Sequence, residues 1–438
     1  MSTASHAEAA ELPTPTVRQL LLLCIPSVLI GIFTALTLWL VDEAADLLHD
    51  GVWSALPHAL GVDPNAGWWI FLVLTLTGVA VGLTIWLVPG HAGPDTATTE
   101  LVAPPLSPLV VPSLALAAIL GLAGGVSLGP ENPIILINAT LIVALCARAF
   151  TAVPARMAMM MSISGTIGAL FGTPVAAALL FTGIMAAVKG GGSLWDKLFL
   201  PLVSAAAGSI TMTLLSHPSF AIAMPAYTEV TGWDVLAALI ITAVSTAVGL
   251  VAVYLFPVMH RLFHGLRHPL LITVAGGVVL GLLGALGGPI TMFKGLAQMN
   301  QLVTDRADYS AWQLALIVVI KLLALLVSAS ALFRGGRIFP SVFIGAAVGT
   351  LAAALVPGVP LQVAVAAGVL GMTVAAARDG WVAIFVGVAV TQNLLILPIL
   401  CLAVLPAWLM VTKAPELLIT PRVEARPTSP RAADGAGR

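Results

Sequence analysis

The chain has 438 residues, of which 59% are hydrophobic and only 8% charged, with a formal net charge of −1. A soluble domain carries roughly 25% charged residues, so this composition excludes an ordinary water-soluble protein and indicates an all-α, multi-pass membrane protein in contact with lipid. The near-neutral balance gives no electrostatic footprint for nucleic acid, and no nucleic-acid partner is expected.

The N-terminal segment Met1–Thr16 is polar and reads as a surface stretch. No cleavable signal is evident, because the first apolar run, Val17–Val41, is itself long enough to span. Apolar runs then recur at about 67–88, 109–128, 134–153, 155–188, 198–216, 235–257, 270–292, 312–333, 338–356, 361–377 and 381–411. Several are too long for one span or are interrupted, so more than twelve helices are expected. Many of the 41 Gly and 30 Pro fall inside these runs. That pattern marks broken or re-entrant helices, tolerated where protein or water covers the freed backbone. Cys24, Cys146 and Cys401 sit far apart in apolar sequence and read as small core residues, with neither a disulfide framework nor a metal site. The tail from 416 is too short for a folded regulatory domain. Its arginines 422, 426, 431 and 438 argue for a cytoplasmic C-terminus.

The most informative stretch is Gly121-Leu-Ala-Gly-Gly-Val-Ser-Leu-Gly-Pro-Glu131-Asn-Pro133. A lone glutamate stands between two prolines in sequence oily enough for a bilayer. Proline fits the first turn of a helix, where its missing N–H is harmless, so a helix is predicted to start at Gly129–Glu131. A helix beginning inside the membrane aims unpaired N–H groups and its positive dipole end at whatever lies there. Such a spot suits an anion, and Glu131 places a protonatable carboxylate in it. A structural pairing or cap for Glu131 is the plainer alternative. A second glycine-rich turn, Gly335-Gly-Arg-Ile-Phe-Pro340, offers the backbone N–H groups of Arg337 and Ile338 in the same way. Its plainer reading is a surface turn with Arg334 and Arg337 reaching the headgroups.

Each of these turns precedes, by a few dozen residues, one of two similar segments, 164–181 and 367–384. Two halves of about 17–216 and 235–415 in similar order are expected to form inverted repeats with the site between them. Lys321, a lone charge in an oily helix, either shapes the field along an anion path or snorkels or pairs with a carboxylate. Arg378-Asp379 reads as a local pair, and His91, in Gly90-His-Ala-Gly-Pro94, as a surface histidine in a turn. The ten Trp lie mostly near segment ends, as an interfacial belt requires. No HExxH, Gly-x-Ser-x-Gly or P-loop is present, so no enzymatic chemistry and no cofactor are expected.

Gly129-Pro-Glu131-Asn-Pro133 resembles the Gly-x-Glu-x-Pro filter motif of the CLC chloride channels and proton-coupled anion exchangers. Gly336-Arg-Ile-Phe-Pro340 is similar to that family's second filter motif, Gly-x-Phe-x-Pro. Gly172-Thr-Pro174-Val-Ala-Ala177 and Thr391-Gln-Asn-Leu-Leu-Ile-Leu-Pro398 resemble further family segments, so the likeness spans about 17–415. The overall look is of a divergent bacterial branch whose members are named only for ion transport. The resemblance implies a CLC-like inverted repeat in the cell membrane, with cytoplasmic termini. It implies a homodimer whose subunits each carry an anion pore, with chloride or a similar small anion as the substrate. It further implies that Glu131 is the gating and external proton-transfer group. Gly129, Glu131, Asn132, Arg337, Ile338 and Phe339 are then the expected anion-binding residues, with His91 where the family's first motif has an anion-contacting serine; Ser107 is the other candidate for that place.

The sequence departs from the family in several places. Pro130 replaces a donor-bearing residue, and the phenylalanine of the second motif comes one position late, with Ile338 in its place. The tyrosine expected near the last helix is missing from 411–420. The inner proton-transfer glutamate of the exchangers should fall near Gly183-Ile184, where no carboxylate stands. These departures predict a looser inner gate and weak or absent proton coupling, hence passive, channel-like conduction. The alternative is proton-coupled exchange of chloride or fluoride, and the remote one a non-transporting membrane enzyme or scaffold.

Overall fold

The computed structural model describes residues 16–149, 151, 153–186, 192–216 and 220–419. Met1–Pro15 and the arginine-bearing tail beyond Ile419 lie outside the described residues. Among the described residues there are sixteen α-helices: α1 (Val17–Asp50), α2 (Leu56–Leu60), α3 (Gly67–Leu87), α4 (Val111–Gly124), α5 (Glu131–Ala149), α6 (Ala155–Phe171), α7 (Pro174–Ala186), α8 (Leu194–Ser216), α9 (Gly232–His264), α10 (Pro269–Gly287), α11 (Leu296–Thr304), α12 (Ala311–Ser330), α13 (Ile338–Leu355), α14 (Leu361–Ala377), α15 (Gly380–Thr391) and α16 (Leu397–Val411). Nine helical stretches among the described residues are long and apolar enough to cross a membrane. The others are short apolar helices that stop part-way, as the internal Gly and Pro require.

The packing shows the inverted repeat directly. α5 packs on α6 as α13 does on α14, α1 on α8 as α9 does on α16, and α4 on α5 as α12 does on α13. α3 meets α10, and α7 meets α15, so equivalent helices of the two halves face each other across the centre. Small residues let the helix backbones come close. A methyl group on Gly345 of α13 would lie 2.6 Å from the carbonyl oxygen of Gly368 on α14, so only glycine fits there.

The outer surface is apolar. Leu21, Leu22, Ile25, Leu214, Leu286 and Leu409 are exposed, which is affordable only against lipid. Trp68, Trp86, Trp195, Trp233, Trp312, Trp381 and Trp408 are exposed within the terminal turns of their helices, as the belt predicted. All three cysteines are free.

Lys321 neither snorkels nor pairs with a carboxylate. It is fully buried in α12, and its three ammonium hydrogens go to the carbonyls of Thr291 (3.2 Å), Met292 (2.8 Å) and Phe293 (2.7 Å). The ring of Phe343 lies 5.1 Å from the same nitrogen. Lys321 thus fastens the turn before α11. Arg378 and Asp379 do not pair with each other. Arg378 donates to the carbonyls of Val411, Ala414 and Pro415, while Asp379 caps α15 through the Val382 N–H (3.0 Å). Lys321→Met should leave three buried carbonyls without a donor, at about 1–3 kcal/mol each. The check is a lowered unfolding temperature of the detergent-solubilised protein; an unchanged value would show that the turn does not depend on Lys321.

Candidate anion site

α4 ends in a left-handed turn at Gly125 (φ 94°), and the chain runs on extended to Pro130 before α5 begins at Glu131. The second turn leaves α12, passes Leu332 in a left-handed conformation (φ 63°) and starts α13 at Ile338. Gly129 and Gly336 join the two turns. The Gly129 N–H donates to the Gly336 carbonyl (2.9 Å) and the Gly336 N–H to the Gly129 carbonyl (2.7 Å), forming the one β-bridge among the described residues. Equivalent positions of the two halves therefore meet at the centre of the molecule.

Glu131 folds back over this bridge and is 2% exposed. Its Oε1 accepts from the backbone N–H groups of Ile338 (2.8 Å) and Phe339 (3.2 Å), the first residues of α13. Its Oε2 is buried with no hydrogen-bond partner among the described residues. The carboxylate therefore occupies the positive end of one helix while heading another, where N–H groups and dipoles favour negative charge. Both glycines make room for Glu131, because a Cβ on Gly129 or on Gly336 would overlap its carboxyl group as it is placed here.

Two cavities approach this carboxylate. One, of ≈ 230 Å³, is bordered by Pro130, Phe339, Asp42, Asp46 and Lys294. The other, of ≈ 300 Å³, is bordered by Asn132, Ile338, Arg337, Glu100, Asp379 and Glu416. Pro130 and Phe339 border the first, whereas Asn132 and Ile338 border the second, so the chain neighbours of Glu131 and its two donors are divided between them. Glu131 sits between them. Phe339 stacks on Phe220 (5.4 Å between centroids), which stacks on Phe171 (5.1 Å), forming an apolar wall beside the first cavity.

The structure brings together Gly129, Glu131, Ile338 and Phe339, with Asn132 beside them. The backbone donors are Ile338 and Phe339, the first two residues of α13, one position later than the Arg337–Ile338 pair the sequence predicts. Arg337 turns its guanidinium away, to the carbonyls of Leu417 and Thr99. Arg334 is buried and satisfied by the carbonyls of Ala92 (2.7 Å), Leu332 (2.9 Å) and Gly93 (3.1 Å), so it does not reach the headgroups. His91 is exposed, and its Nδ1 bonds the Ile85 carbonyl (2.8 Å). No hydrogen bond or ion pair among the described residues links it to Glu131.

The residue of that loop whose side chain bonds the backbone of the second turn is Thr96, which sequence reasoning missed. Its hydroxyl donates to the Phe333 carbonyl (3.0 Å) and accepts from the Gly335 N–H (3.4 Å). Phe220 and the segment at Leu417 were missed as well. Nothing local marks any of the three, since each acts on a partner far away in sequence.

The family described as voltage gated chloride channel matches residues 79–412. The chain belongs to the CLC family. YfeO of Escherichia coli O6:H1 (strain CFT073), a protein named for ion transport, is 44% identical over 415 residues, covering 94% of this chain and 98% of its own. The YfeO protein of Escherichia fergusonii is 44% identical over 408 residues, covering 92% and 96%. Among solved structures, a CLC-type fluoride/proton antiporter superposes with a TM-score of 0.71 at 20% identity, covering 92% of this chain and 98% of that one. A slow cyanobacterial Cl−/H+ antiporter gives 0.70 at 16% identity, covering 88% and 93%. This is therefore a multi-span CLC membrane protein whose family transports ions, and the CLC fold places the glutamate motif at the meeting of its two halves.

Gly336→Ala tests the close approach over Glu131. The added methyl should cost about 1–3 kcal/mol of stability through overpacking. Because its three nearest neighbours are all Glu131 side-chain atoms, the cost should largely vanish in the Glu131→Ala background. A double-mutant cycle of unfolding free energies checks this, and an undiminished cost in that background would refute it.

Proposed function

We propose that this protein exchanges a small halide anion, chloride or fluoride, for protons, with Glu131 as both gate and proton carrier. The observation that carries the reading is the Glu131 carboxylate on the Ile338 and Phe339 N–H groups, between two cavities. Only one negative group can hold those donors at a time. Protonation removes the charge that holds the carboxyl there and frees the helix end for an anion. Return of the carboxylate expels that anion and releases the proton. An ion can leave as well as enter because the donors are neutral amides with no full positive charge among them.

The absence of a carboxylate at Gly183-Ile184 pointed towards passive conduction. The second cavity weighs against that inference, since Glu100, Asp379 and Glu416 border it and can pass protons from water towards Glu131. Two fold neighbours, a fluoride/proton and a Cl−/H+ antiporter, agree with exchange. Passive conduction remains the second reading, favoured by Leu417 and Leu418 bordering that cavity where the family's tyrosine is missing. The working unit is proposed to be a homodimer in the cell inner membrane, with the anion pathway contained in each subunit. Both termini are proposed to be cytoplasmic.

The test is anion efflux from liposomes holding the purified protein, with external pH recorded in parallel. Chloride or fluoride efflux should drive proton uptake at a fixed ratio, and Glu131→Gln should abolish the proton movement. Efflux with no proton movement would transfer the case to passive conduction. No flux with any halide would overturn the transport reading itself.

A further inference from the structure

Away from Glu131, three side chains that the transport mechanism does not use converge at one end of α9. His260 and His264 lie four residues apart on the last turns of that helix, so both rings leave the same face. They stack with centroids 3.7 Å apart and planes 21° from parallel. Both aim Nε2 at one oxygen of Asp95, His260 at 3.1 Å and His264 at 3.4 Å from Oδ2. All three ligand atoms lie within 4.8 Å of one another.

His264 and Asp95 are each held in place by a bond at the far side. His264 Nδ1 is 3.0 Å from the His260 carbonyl, and a carbonyl only accepts, so the proton is on Nδ1. In the neutral ring Nε2 then carries a lone pair, turned towards a carboxylate oxygen that also carries lone pairs. Nε2 therefore meets Asp95 Oδ2 in one of two ways, as the N–H donor of an imidazolium or, in the neutral ring, through a cation held between the two acceptors. Asp95 is oriented likewise: its Oδ1 accepts from the Ala97 N–H (3.0 Å), leaving Oδ2 for the imidazoles. Arg334, the nearby cation, spends its N–H groups on the Ala92, Gly93 and Leu332 carbonyls. An imidazole whose second nitrogen is fixed by a backbone carbonyl is the usual outer support of a metal ligand.

We propose that Asp95 Oδ2, His260 Nε2 and His264 Nε2 form a transition-metal site, with Zn2+ as the fitting ion. Metal–ligand bonds of about 2.0–2.2 Å in a tetrahedron put ligand atoms about 3.3–3.5 Å apart, close to the two separations found. Two nitrogens and one oxygen suit Zn2+ or Co2+ and disfavour Ca2+ and Mg2+, which require oxygen ligands. The His260 and His264 side chains are 14% and 32% exposed, so an ion can enter from water, and water can complete the fourth position. A bound ion would tie α9 to the 90–99 loop. That loop holds the second turn through Thr96 and through the two carbonyls that Arg334 grips, and its Ala97 carbonyl accepts from the Ile419 N–H. The proposal does not depend on the transported ion.

The test is equilibrium titration of the full-length protein in detergent with Zn2+, and with Co2+ read by its visible absorption. One ion per chain is expected, with the intense spectrum of four-coordinate Co2+. Asp95→Asn and His264→Ala should each weaken binding at least about tenfold, while Mg2+ should not compete. Binding unchanged by both substitutions, or no saturable binding, would overturn the proposal. Should those variants fail to fold, X-ray absorption of Zn2+-loaded wild-type protein decides. Two imidazoles with oxygen ligands support the site, and sulfur or water-only coordination refutes it.

Discussion

Two backbone N–H groups at the start of α13 hold one carboxylate oxygen, and the centre of the molecule is arranged around that contact. For Glu131 to reach Ile338 and Phe339, two turns from opposite halves of the chain must meet without side chains between them. The Gly129–Gly336 bridge provides that meeting, and its two hydrogen bonds satisfy backbone groups that a membrane interior could not otherwise leave bare. α5 and α13 both start at this meeting point, and the short apolar helices α6, α7, α14 and α15 lie around them.

The buried cations obey a second rule. Lys321, Arg334 and Arg337 all lie near the two turns, yet each directs its donors to backbone carbonyls. The charges fasten the turns to the loops around them, and the Glu131 carboxylate is left to neutral amides. That arrangement gives an anion a weak, reversible site, where a guanidinium pointing inward would bind it too tightly to release.

What could be read from the sequence was what local rules govern. Pro130 and Pro133 flanking Glu131 fixed the start of α5, because proline is tolerated only in the first turn. Composition and interrupted apolar runs gave the membrane class and the broken helices, and the paired Gly/Pro turns gave the repeat. Long-range partners were not legible. Lys321 was seen as a marked residue, but its three carbonyl partners lie 28 to 30 positions away in an ordinary-looking turn. Arg378 and Asp379, adjacent in sequence, answer to different elements. The side chain that bonds the backbone of the second turn is that of Thr96 and not of His91, whose Nδ1 is engaged by the Ile85 carbonyl. His260 and Asp95 are separated by 165 positions, which no periodicity connects.

The central claim is that Glu131 and the transported anion compete for the same helix end. Anomalous diffraction from bromide-soaked crystals of the wild type and of Glu131→Ala tests it most directly. The account predicts that removing the carboxylate places a bromide peak at the Ile338 and Phe339 N–H groups, where Oε1 lies in the wild type. Bromide bound elsewhere in the variant, with those two donors left to water, would contradict it.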